Sequence, residues 1–276
     1  MTKVELSFSM VTIKIFKKKL GGRMFNFLIE KFYRRKAMIY FFYGKFCRLK
    51  NLKSRYGLSF VSNFSDVTFK FYIKGKYGFY YSNLLSNIRE PIIFLDIGAN
   101  QGLYGILASK NENIIMSYMF EPVNKTFNLM VNNINLNNAH KKCMPINAAI
   151  SSLNGEAGIM IHNNHSGMSS LEAIESKIEK NIETVKTIDH HEIDKIIDIG
   201  DKSVYVKIDV EGHEYIVLEQ LFMSSFSEKI KQIFIEINEL ENDMSKIHEL
   251  FKDNKFQVTK KIGTGSRYDL LLDKII

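Results

Sequence analysis

The residues best suited to chemistry form two short clusters, one near position 100 and the other near position 210. The first is a carboxylate followed by spaced polar and glycine positions: Asp96, Gly98, Asn100 and Gly102. The second holds three carboxylates, a histidine and a lysine within eight residues: Lys207, Asp209, Glu211, His213 and Glu214. Carboxylates and histidine accept protons or bind cations, and glycines let a ligand approach the main chain. The two clusters are therefore the candidate site.

The residues around the first cluster predict a strand, a glycine turn and a helix. Residues 92–95 form an unbroken apolar run, which is typical of a strand buried on both faces of a parallel sheet. After the turn, Leu103, Ile106 and Leu107 recur with helical spacing. This order predicts a βα unit whose helix N-terminus and bare backbone N–H groups face a ligand. An ordinary βα turn without a ligand is the alternative.

The acid in the first cluster favours one type of cofactor. A dinucleotide fingerprint would read G-x-G-x-x-G, and Asp96 would repel its pyrophosphate. The same carboxylate would attract an amino group. This favours S-adenosylmethionine, which carries an α-amino group and no phosphate.

Two further strands carry candidate contacts to a nucleoside. A strand predicted at 114–120 ends at Glu121, which is placed to accept hydrogen bonds from two ribose hydroxyls. Its alternative role is a charge at the N-terminus of the next helix. A strand predicted at 143–149 ends with Asn147 and Ala148, where an adenine edge would lie, although Asn is also a common turn residue.

The second cluster follows a strand predicted at 204–208, and Glu236 lies near the end of another at 232–237. Open α/β sheets bind ligands at the carboxyl ends of strands beside a reversal of strand order. Short strands, among them 67–73, and then a helix at 82–88 are predicted within residues 58–90. Paired extra strands are predicted at 158–161 and 183–188, and a closing hairpin at 256–261 and 268–272. The insertion between the extra strands, with a small-residue loop at 165–170 and a polar helix, is the candidate for part of the acceptor-side wall.

The charges are distributed unevenly along the chain. The net charge is +8, but residues 1–57 contain fifteen Lys and Arg against two acids, a balance of +13, which leaves −5 for the rest. We therefore divide the chain into a basic, aromatic-rich helical extension, 1–57, broken at Gly21, Gly22 and Gly44, and a mildly acidic domain, 58–276. The extension suits an anionic membrane surface. The same composition could bind nucleic acid or an acidic partner, or pack its aromatic face on the domain.

Composition excludes several other classes. The two cysteines, Cys47 and Cys143, lie far apart, so we expect no disulfide framework or zinc site and a cytoplasmic location. No apolar run approaches the ~20 residues of a membrane span, and lysines interrupt any cleavable signal. We expect at most peripheral contact with the inner face of the membrane. No metal is predicted, because no pair of histidines has a ligand spacing on one element: His162, His165, His190, His191 and His213.

Residues 92–240 resemble the FkbM-type S-adenosylmethionine-dependent methyltransferases. The matching stretches are LDIGANQGLY at 95–104, FEP at 120–122, NINLN at 133–137, NAAI at 147–150, SGMSSL at 166–171, TID at 187–189 and KIDVEGHE at 207–214. The resemblance implies an α/β, Rossmann-like class I fold with a seven-stranded, mostly parallel sheet and an antiparallel C-terminal strand. It also implies O-methylation, often of sugars or other small metabolites. One departure is that Asn254-Lys-Phe replaces a glycine-aromatic turn near the C-terminus.

Mapped onto this chain, the resemblance assigns a cofactor site and a reaction centre. The methionine part of S-adenosylmethionine would contact Asp96, Gly98, Ala99, Asn100 and Gly102. Glu121 would bind the ribose, and Asn147 and Ala148 would lie near adenine. Asp209 and Glu211 would face the methyl group and the acceptor.

A hydroxyl acceptor must lose its proton, and the candidate bases are His213, Asp209, Glu211 and Glu236. For His213 the alternative is an ordinary surface residue at a helix start. Two other functions stay open. One is a nucleic-acid methyltransferase that uses the basic arm, although the Asn/Asp-Pro-Pro-aromatic loop usual in amino-group methylation is missing. The other is a membrane-attached S-adenosylmethionine-binding module without turnover.

Overall fold

The computed structural model describes residues 22–161, 166, 170–172 and 182–275. The helices are α1 Gly22–Phe46, α2 Val67–Lys74, α3 Tyr80–Ser86, α4 Leu103–Ala108, α5 Asn124–Leu136, α6 His190–Ile196, α7 Glu214–Met223 and α8 Met244–Asp253. The strands are β1 Asn51–Lys53, β2 Ser59–Val61, β3 Ile92–Ile97, β4 Ile114–Phe120, β5 Cys143–Ile146, β6 Ala149–Ile150, β7 Gly155–Met160, β8 Ser170–Glu172, β9 Ile182–Ile188, β10 Ser203–Ile208, β11 Ile230–Asn238, β12 Phe256–Ile262 and β13 Arg267–Lys274.

Seven strands form the central sheet, in the order β12-β13-β11-β10-β3-β4-β5. The strands from β11 to β5 are parallel to one another, and β13 runs antiparallel to both β11 and β12. Every residue of β3 is buried, as expected for a central parallel strand. The predicted sheet and its closing hairpin are therefore confirmed. The strand order reverses between β3 and β10, where the two clusters end their strands.

Helices cover both faces of this sheet and bury two main apolar clusters. On one face, α6, α7 and α8 pack on the sheet through residues such as Ile193, Leu218 and Ile247. On the other face, α1, α2, α4 and α5 contribute Phe41, Phe69, Ile106, Met130 and others. The helices predicted after the first and second core strands are both present. The sheet is thus held rigidly from both sides, and the ends of its strands stay in register.

A second sheet of four strands, in the order β6-β9-β7-β8, lies beyond β5. The predicted pairing of two extra strands is confirmed by antiparallel β7 and β9. The strand predicted at 143–149 divides into β5, in the central sheet, and β6, in the second sheet. Asn147 lies at the break and donates from Nδ2 to the carbonyls of Glu121 and Pro122, at 2.9 Å each. Of the loop at 165–170 only Ser166 and Ser170 are described, and the polar helix predicted after it lies largely outside the described residues.

The prediction of a strand at 67–73 is wrong, because this segment forms helix α2. Asp66 caps the helix, and its Oδ1 accepts from the Phe69 N–H at 2.8 Å. Gly75 ends it in the left-handed conformation, with φ of 64°. The buried residues fall on one helical face: Thr68, Phe69, Tyr72 and Ile73. The helix predicted at 82–88 is present as α3, shifted toward the N-terminus.

Helix α1 continues through Gly44, so the predicted break there is wrong. A Cβ at Gly44 would lie 2.6 Å from Cδ2 of Leu52. The glycine therefore permits close packing of α1 on β1 instead of ending the helix. Strands β1 and β2 form a hairpin around position 57, and the division of the chain at that residue stays a prediction. In the part of the chain that the structure describes, no helix is long and apolar enough to cross a membrane.

Candidate active site

A cavity of about 210 Å³ lies at the carboxyl ends of β3 and β10, where the strand order reverses. Nine of the twelve predicted site residues line it: Gly98, Ala99, Asn100, Glu121, Ala148, Asp209, Glu211, His213 and Glu236. The other three, Asp96, Gly102 and Asn147, are near these residues in the sequence but do not line the cavity. The fold thus brings together residues from five strand ends, those of β3, β4, β5, β10 and β11.

The two sequence clusters contact each other directly through their main chains. Gly98 has φ of +75°, and a Cβ there would lie only 1.8 Å from the carbonyl oxygen of Asp209. The Asp209 N–H donates to the Ile97 carbonyl at 3.0 Å. Because only glycine fits at position 98, this residue fixes the position of the second cluster relative to the first.

The backbone N–H groups of the glycine turn already have acceptors within the protein. Those of Gly98 and Ala99 donate to the carbonyl of Phe120, at 3.1 and 2.9 Å. That of Asn100 donates to Oε2 of Glu121 at 3.0 Å, and those of the next two residues are also bonded. The prediction of bare N–H groups facing a ligand is therefore wrong for these five residues. The turn is a scaffold bonded to the tip of β4.

Asp96 lies beneath this turn and is fully buried. Its Oδ2 accepts from the Gly105 N–H at 2.7 Å, and its Oδ1 has no hydrogen-bond donor among the described residues. Burial raises the pKa of this carboxyl, and the nearby Lys207 acts in the opposite direction. Asp96 thus holds the start of α4, and its predicted contact with the cofactor stays a prediction.

Lys207 places a buried positive charge between the two clusters. Its Nζ lies 3.8 Å from Oδ1 of Asp96 and 3.2 Å from Oδ2 of Asp209. It also lies 5.3 Å from the centre of the Tyr104 ring. Burial alone would lower the pKa of Lys207, but the charges of the two aspartates outweigh burial and raise it. The lysine therefore stays charged and partly balances the acids of the site.

Glu121 directly follows β4, and its side chain is buried at the cavity wall. Its Oε1 accepts from the Val123 N–H at 2.9 Å, and its Oε2 accepts from Asn100. Burial raises the pKa of Glu121 to about 7, although these two hydrogen bonds oppose the shift. Each carboxylate oxygen has a second lone pair, so the group can accept two more donors from a ligand.

The loop between β10 and α7 is held in an unusual conformation. Glu211 and Gly212 have φ of 49° and 96°. The buried Glu214 accepts from the Gly212 N–H with both oxygens, at 3.1 and 3.0 Å, and from Asn242 Nδ2 at 2.8 Å. A non-glycine residue in this region costs about 1–3 kcal/mol and persists only where its surroundings impose it. Glu214 is part of those surroundings and positions the loop.

The loop and β11 bring carboxylates together around Arg267. Its Nη2 lies 2.5 Å from Oε2 of Glu211, and its Nε lies 3.4 Å from Oε1 of Glu236. Burial and the charge of Asp209 raise the pKa of Glu211 to about 7. The charge of Asp209 and then burial raise the pKa of Glu236 to about 9. Sequence reasoning missed Arg267, because only the β11–β13 pairing brings it to the site.

His213 lines the cavity at the start of α7. Its Nε2 is buried and has no hydrogen-bond partner among the described residues. Burial lowers the pKa of this imidazole, so it is neutral at pH 7 and can accept a proton. Within the described ranges, no group of three or more His, Cys, Asp or Glu side chains is arranged to hold a metal ion. His162 and His165 lie outside those ranges.

Aromatic and small apolar side chains complete the walls. Among them are four aromatic side chains from α2 and the segments after it, Phe71, Tyr72, Tyr77 and Tyr104, together with Phe120, Ala148, Ile150 and Ile159. Sequence reasoning missed Phe71 and Tyr72, since it placed them in a strand. From the predicted acceptor-side insertion, Ser166 reaches the cavity. Its N–H donates to Oδ2 of Asp66, and its Oγ donates to Oδ1 of Asn100, at 3.0 Å each.

A second cavity, of about 280 Å³, adjoins the first. The two share a wall of six side chains: Tyr77, Tyr104, Lys207, Asp209, Glu236 and Arg267. The rest of the second cavity includes Lys76, Phe234, Tyr268 and Asp269. Burial and the charge of Asp209 raise the pKa of Asp269 to about 6. The site therefore has two adjoining compartments separated by acids, cations and two tyrosines.

The side chains of the first cavity fit S-adenosylmethionine. The buried carboxylate of Glu121 suits two ribose hydroxyls, and Phe120, Ala148 and Ile150 offer an apolar surface to adenine. Asp209 offers negative charge to the ammonium and sulfonium groups, and Glu236, protonated at neutral pH, offers a hydrogen bond. The polar and apolar parts of the wall thus match the polar and apolar parts of this nucleoside.

The open sheet with its reversed order and antiparallel β13 defines a Rossmann-like class I methyltransferase fold. The methyltransferase FkbM domain family matches residues 96–258, more than half of the chain. The chain therefore belongs to the FkbM methyltransferase family. The matched residues form an S-adenosylmethionine-dependent methyltransferase domain.

Several solved structures are similar to this chain at low sequence identity. One is aTrm5 in complex with tRNALeu, at 13% identity and a TM-score of 0.46, over 82% of this chain and 52% of that one. Another is TrmK of M. capricolum in complex with S-adenosyl-homocysteine, at 13% identity and a TM-score of 0.43, over 71% of this chain and 68% of that one. A third is precorrin-6y C5,15-methyltransferase of Geobacter metallireducens, at 13% identity and a TM-score of 0.41, over 71% of this chain and 85% of that one. The chain spans about half the length of the first. No curated protein matches it.

Proposed function

We propose that this enzyme transfers a methyl group to a hydroxyl of a sugar, glycan or other small polar metabolite. The observation that carries the proposal is the shared wall between the two cavities. The cofactor fits the first cavity, and the second offers a polyol both hydrogen-bonding partners and aromatic rings. Asp209, Glu236 and Arg267 supply the polar groups at the shared wall, and Tyr77 and Tyr104 supply rings. An acceptor in the second cavity therefore lies across this wall from the cofactor.

When bound, S-adenosylmethionine supplies a methyl group already activated by its sulfonium. The protein's task is to orient the acceptor oxygen and remove its proton. Orientation of bound reactants can supply up to ~7–11 kcal/mol of the barrier. Two sets of contacts fix the position of the loop after β10 relative to the glycine turn. One is the close approach of Gly98 to the Asp209 main chain, and the other is the pair of hydrogen bonds from the Gly212 N–H to Glu214.

The candidate bases differ in their readiness to accept a proton. Asp209 lies on the shared wall, 3.2 Å from the Lys207 ammonium. Glu236 has a pKa of about 9, so it carries a proton at neutral pH and donates a hydrogen bond. His213 is neutral because burial lowers its pKa, and its Nε2 needs a partner. We assign the base to Asp209 or His213 and the hydrogen-bond donor to Glu236. Glu211, paired with Arg267, holds that arginine in place.

The test is methyl transfer from radiolabelled S-adenosylmethionine to a panel of monosaccharides, oligosaccharides, hydroxylated metabolites, RNA and DNA. The proposal predicts an alkali-stable ether product with one of the small acceptors. Asp209→Asn or His213→Gln should lower kcat about 10²–10⁴-fold, depending on which residue is the base. Asp201→Asn, a change of an exposed acid that does not line either cavity, is the matched control.

Two results would contradict the proposal. Label found in RNA or DNA, with none in hydroxyl acceptors, would favour the nucleic-acid enzyme. An alkali-labile label would indicate methylation of a carboxylate in place of a hydroxyl.

A further inference from the structure

Helix α1 carries a stripe of large apolar side chains on its solvent-facing side. The stripe consists of Leu28, Phe32, Ile39, Phe42, Tyr43 and Phe46, which are 44–89% exposed. Apart from the neighbours Phe42 and Tyr43, successive positions are three, four or seven residues apart, so the six lie on one face of a helix with 3.6 residues per turn. In the described part of the chain, no other element covers this face.

The opposite face of α1 fixes the helix on the domain, so the orientation of the stripe follows from packing. Phe41 is buried, and its ring centre lies 5.4 Å from that of Phe64 and 5.9 Å from that of Phe69. Arg55 pairs with both oxygens of Glu30, at 2.8 Å each. These contacts do not involve the stripe. The helix is therefore attached to the domain by side chains outside the stripe.

Positive charge surrounds the stripe. Lys31, Arg35 and Lys36 are exposed beside it. The helix contains one acid, Glu30, which lies on the domain side and is paired with Arg34 and Arg55. By sequence, residues 1–21 add five lysines and one glutamate. The stripe is thus an apolar strip beside unpaired cations.

We infer that α1 binds the headgroup region of an anionic lipid bilayer, with the stripe inserted and the cations at the lipid phosphates. The surface of an anionic bilayer has an apolar acyl-chain region that can bury the stripe and negatively charged headgroups that can bind the cations beside it. A second copy of the chain would bring the same cations face to face, which opposes self-association. Nucleic acid would satisfy the cations but leave six large apolar side chains in water. Lipid is the one partner that matches both features.

The contact also connects the membrane to the site. Helix α1 packs on α2, which supplies Phe71 and Tyr72 to the cavity wall. Binding through α1 thus holds an active-site element near the bilayer. The inference does not rest on the identity of the acceptor, because none of the described α1 side chains lines either cavity.

The experiment is cosedimentation of the full chain with vesicles of phosphatidylcholine alone or with 30% phosphatidylserine. We expect binding to the anionic vesicles and much weaker binding to the neutral ones. The variant Phe32→Gln/Ile39→Gln/Phe42→Gln should lose binding to both. The variant Lys31→Gln/Arg35→Gln/Lys36→Gln should bind anionic vesicles on the order of 100-fold more weakly, since each cation near the surface contributes about fivefold.

Matched controls carry the same changes elsewhere on the surface. Leu153→Gln/Met223→Gln/Leu240→Gln removes exposed apolar side chains, and Lys231→Gln/Lys252→Gln/Lys260→Gln removes exposed lysines. Both should bind like the wild type. Calorimetry with S-adenosylmethionine on every variant shows that the domain is folded, independently of methyl transfer.

Three results would overturn the inference. One is equal binding of wild type and stripe variant to anionic vesicles. Another is a dimer in analytical ultracentrifugation that the stripe variant abolishes, which would identify a second copy as the occupant. The third is retention on RNA at 150 mM salt without vesicle binding.

Discussion

Replacement of Gly98 by alanine tests the contact on which the geometry of the site depends. The new Cβ would lie 1.8 Å from the carbonyl oxygen of Asp209. That oxygen must move by roughly 1.5–2 Å to reach an ordinary van der Waals distance. The positive φ costs about 1–2 kcal/mol and the overpacking about 1–3 kcal/mol more. We therefore expect Gly98→Ala to lower the free energy of unfolding by about 2–5 kcal/mol in total.

Gly78 provides a matched control, because its φ is +76° and a Cβ there would meet nothing within 4 Å. Gly78→Ala should therefore lower the free energy of unfolding only by the cost of the positive φ, about 1–2 kcal/mol. Urea denaturation of both variants measures the difference. Gly98→Ala should also lower kcat about 100-fold, since a displacement of 1 Å in a site can have that effect. Equal destabilisation of the two variants would refute the contact between the clusters.

Three further predictions concern the charged groups. Folding raises the pKa of Glu236 from 4.5 to about 9, so its protonation contributes stability that is fully present below pH 4.5 and is lost as the pH rises through 9. Glu236→Gln should therefore flatten the decline of the unfolding free energy between pH 6 and 9. An unchanged slope, measured by urea denaturation across this pH range, would contradict the prediction. Arg267→Met should raise the pKa of Glu236 further and so shift to higher pH the alkaline limb of the pH–rate profile, where Glu236 loses its donor proton. Arg267→Lys should leave this limb closer to that of the wild type, and a limb that does not move would exclude the ion pair. Glu214→Ala should lower the free energy of unfolding, measured by urea denaturation, by about 1–3 kcal/mol, because the Gly212 N–H loses its acceptor. Glu214→Gln should lie between this variant and the wild type. Equal stability of the wild type and both variants would contradict the positioning role.

Local signals were enough to predict the strands that form the centre of the sheet. The apolar run at 92–95 and the mostly apolar segment 114–120 predicted two strands, and both segments lie in strands, Ile92–Ile97 and Ile114–Phe120. Segment 67–73 misled the prediction, because its alternating pattern and β-branched residues are typical of a strand. The caps at Asp66 and Gly75 were the better signal, and tertiary burial of one face decided the outcome.

The candidate site was predictable only where its residues stand at strand ends. The glycine turn, Glu121 and the loop after β10 follow from that rule. Arg267 and Tyr77 reach the site through pairing and packing between segments far apart in the chain, which no local pattern encodes. The saturation of the turn N–H groups likewise depends on the tip of β4. The pKa of each carboxylate depends on neighbours from other strands.

Titration calorimetry with S-adenosylmethionine on wild type and Glu121→Gln tests the central claim most directly. Loss of two charge-assisted hydrogen bonds to the ribose should raise Kd roughly 10- to 100-fold or more. Glu112→Gln, an exposed acid outside the cavity, should leave Kd unchanged. Binding to wild type and Glu121→Gln with the same Kd, in variants of equal thermal stability, would contradict the assignment of the first cavity to the cofactor.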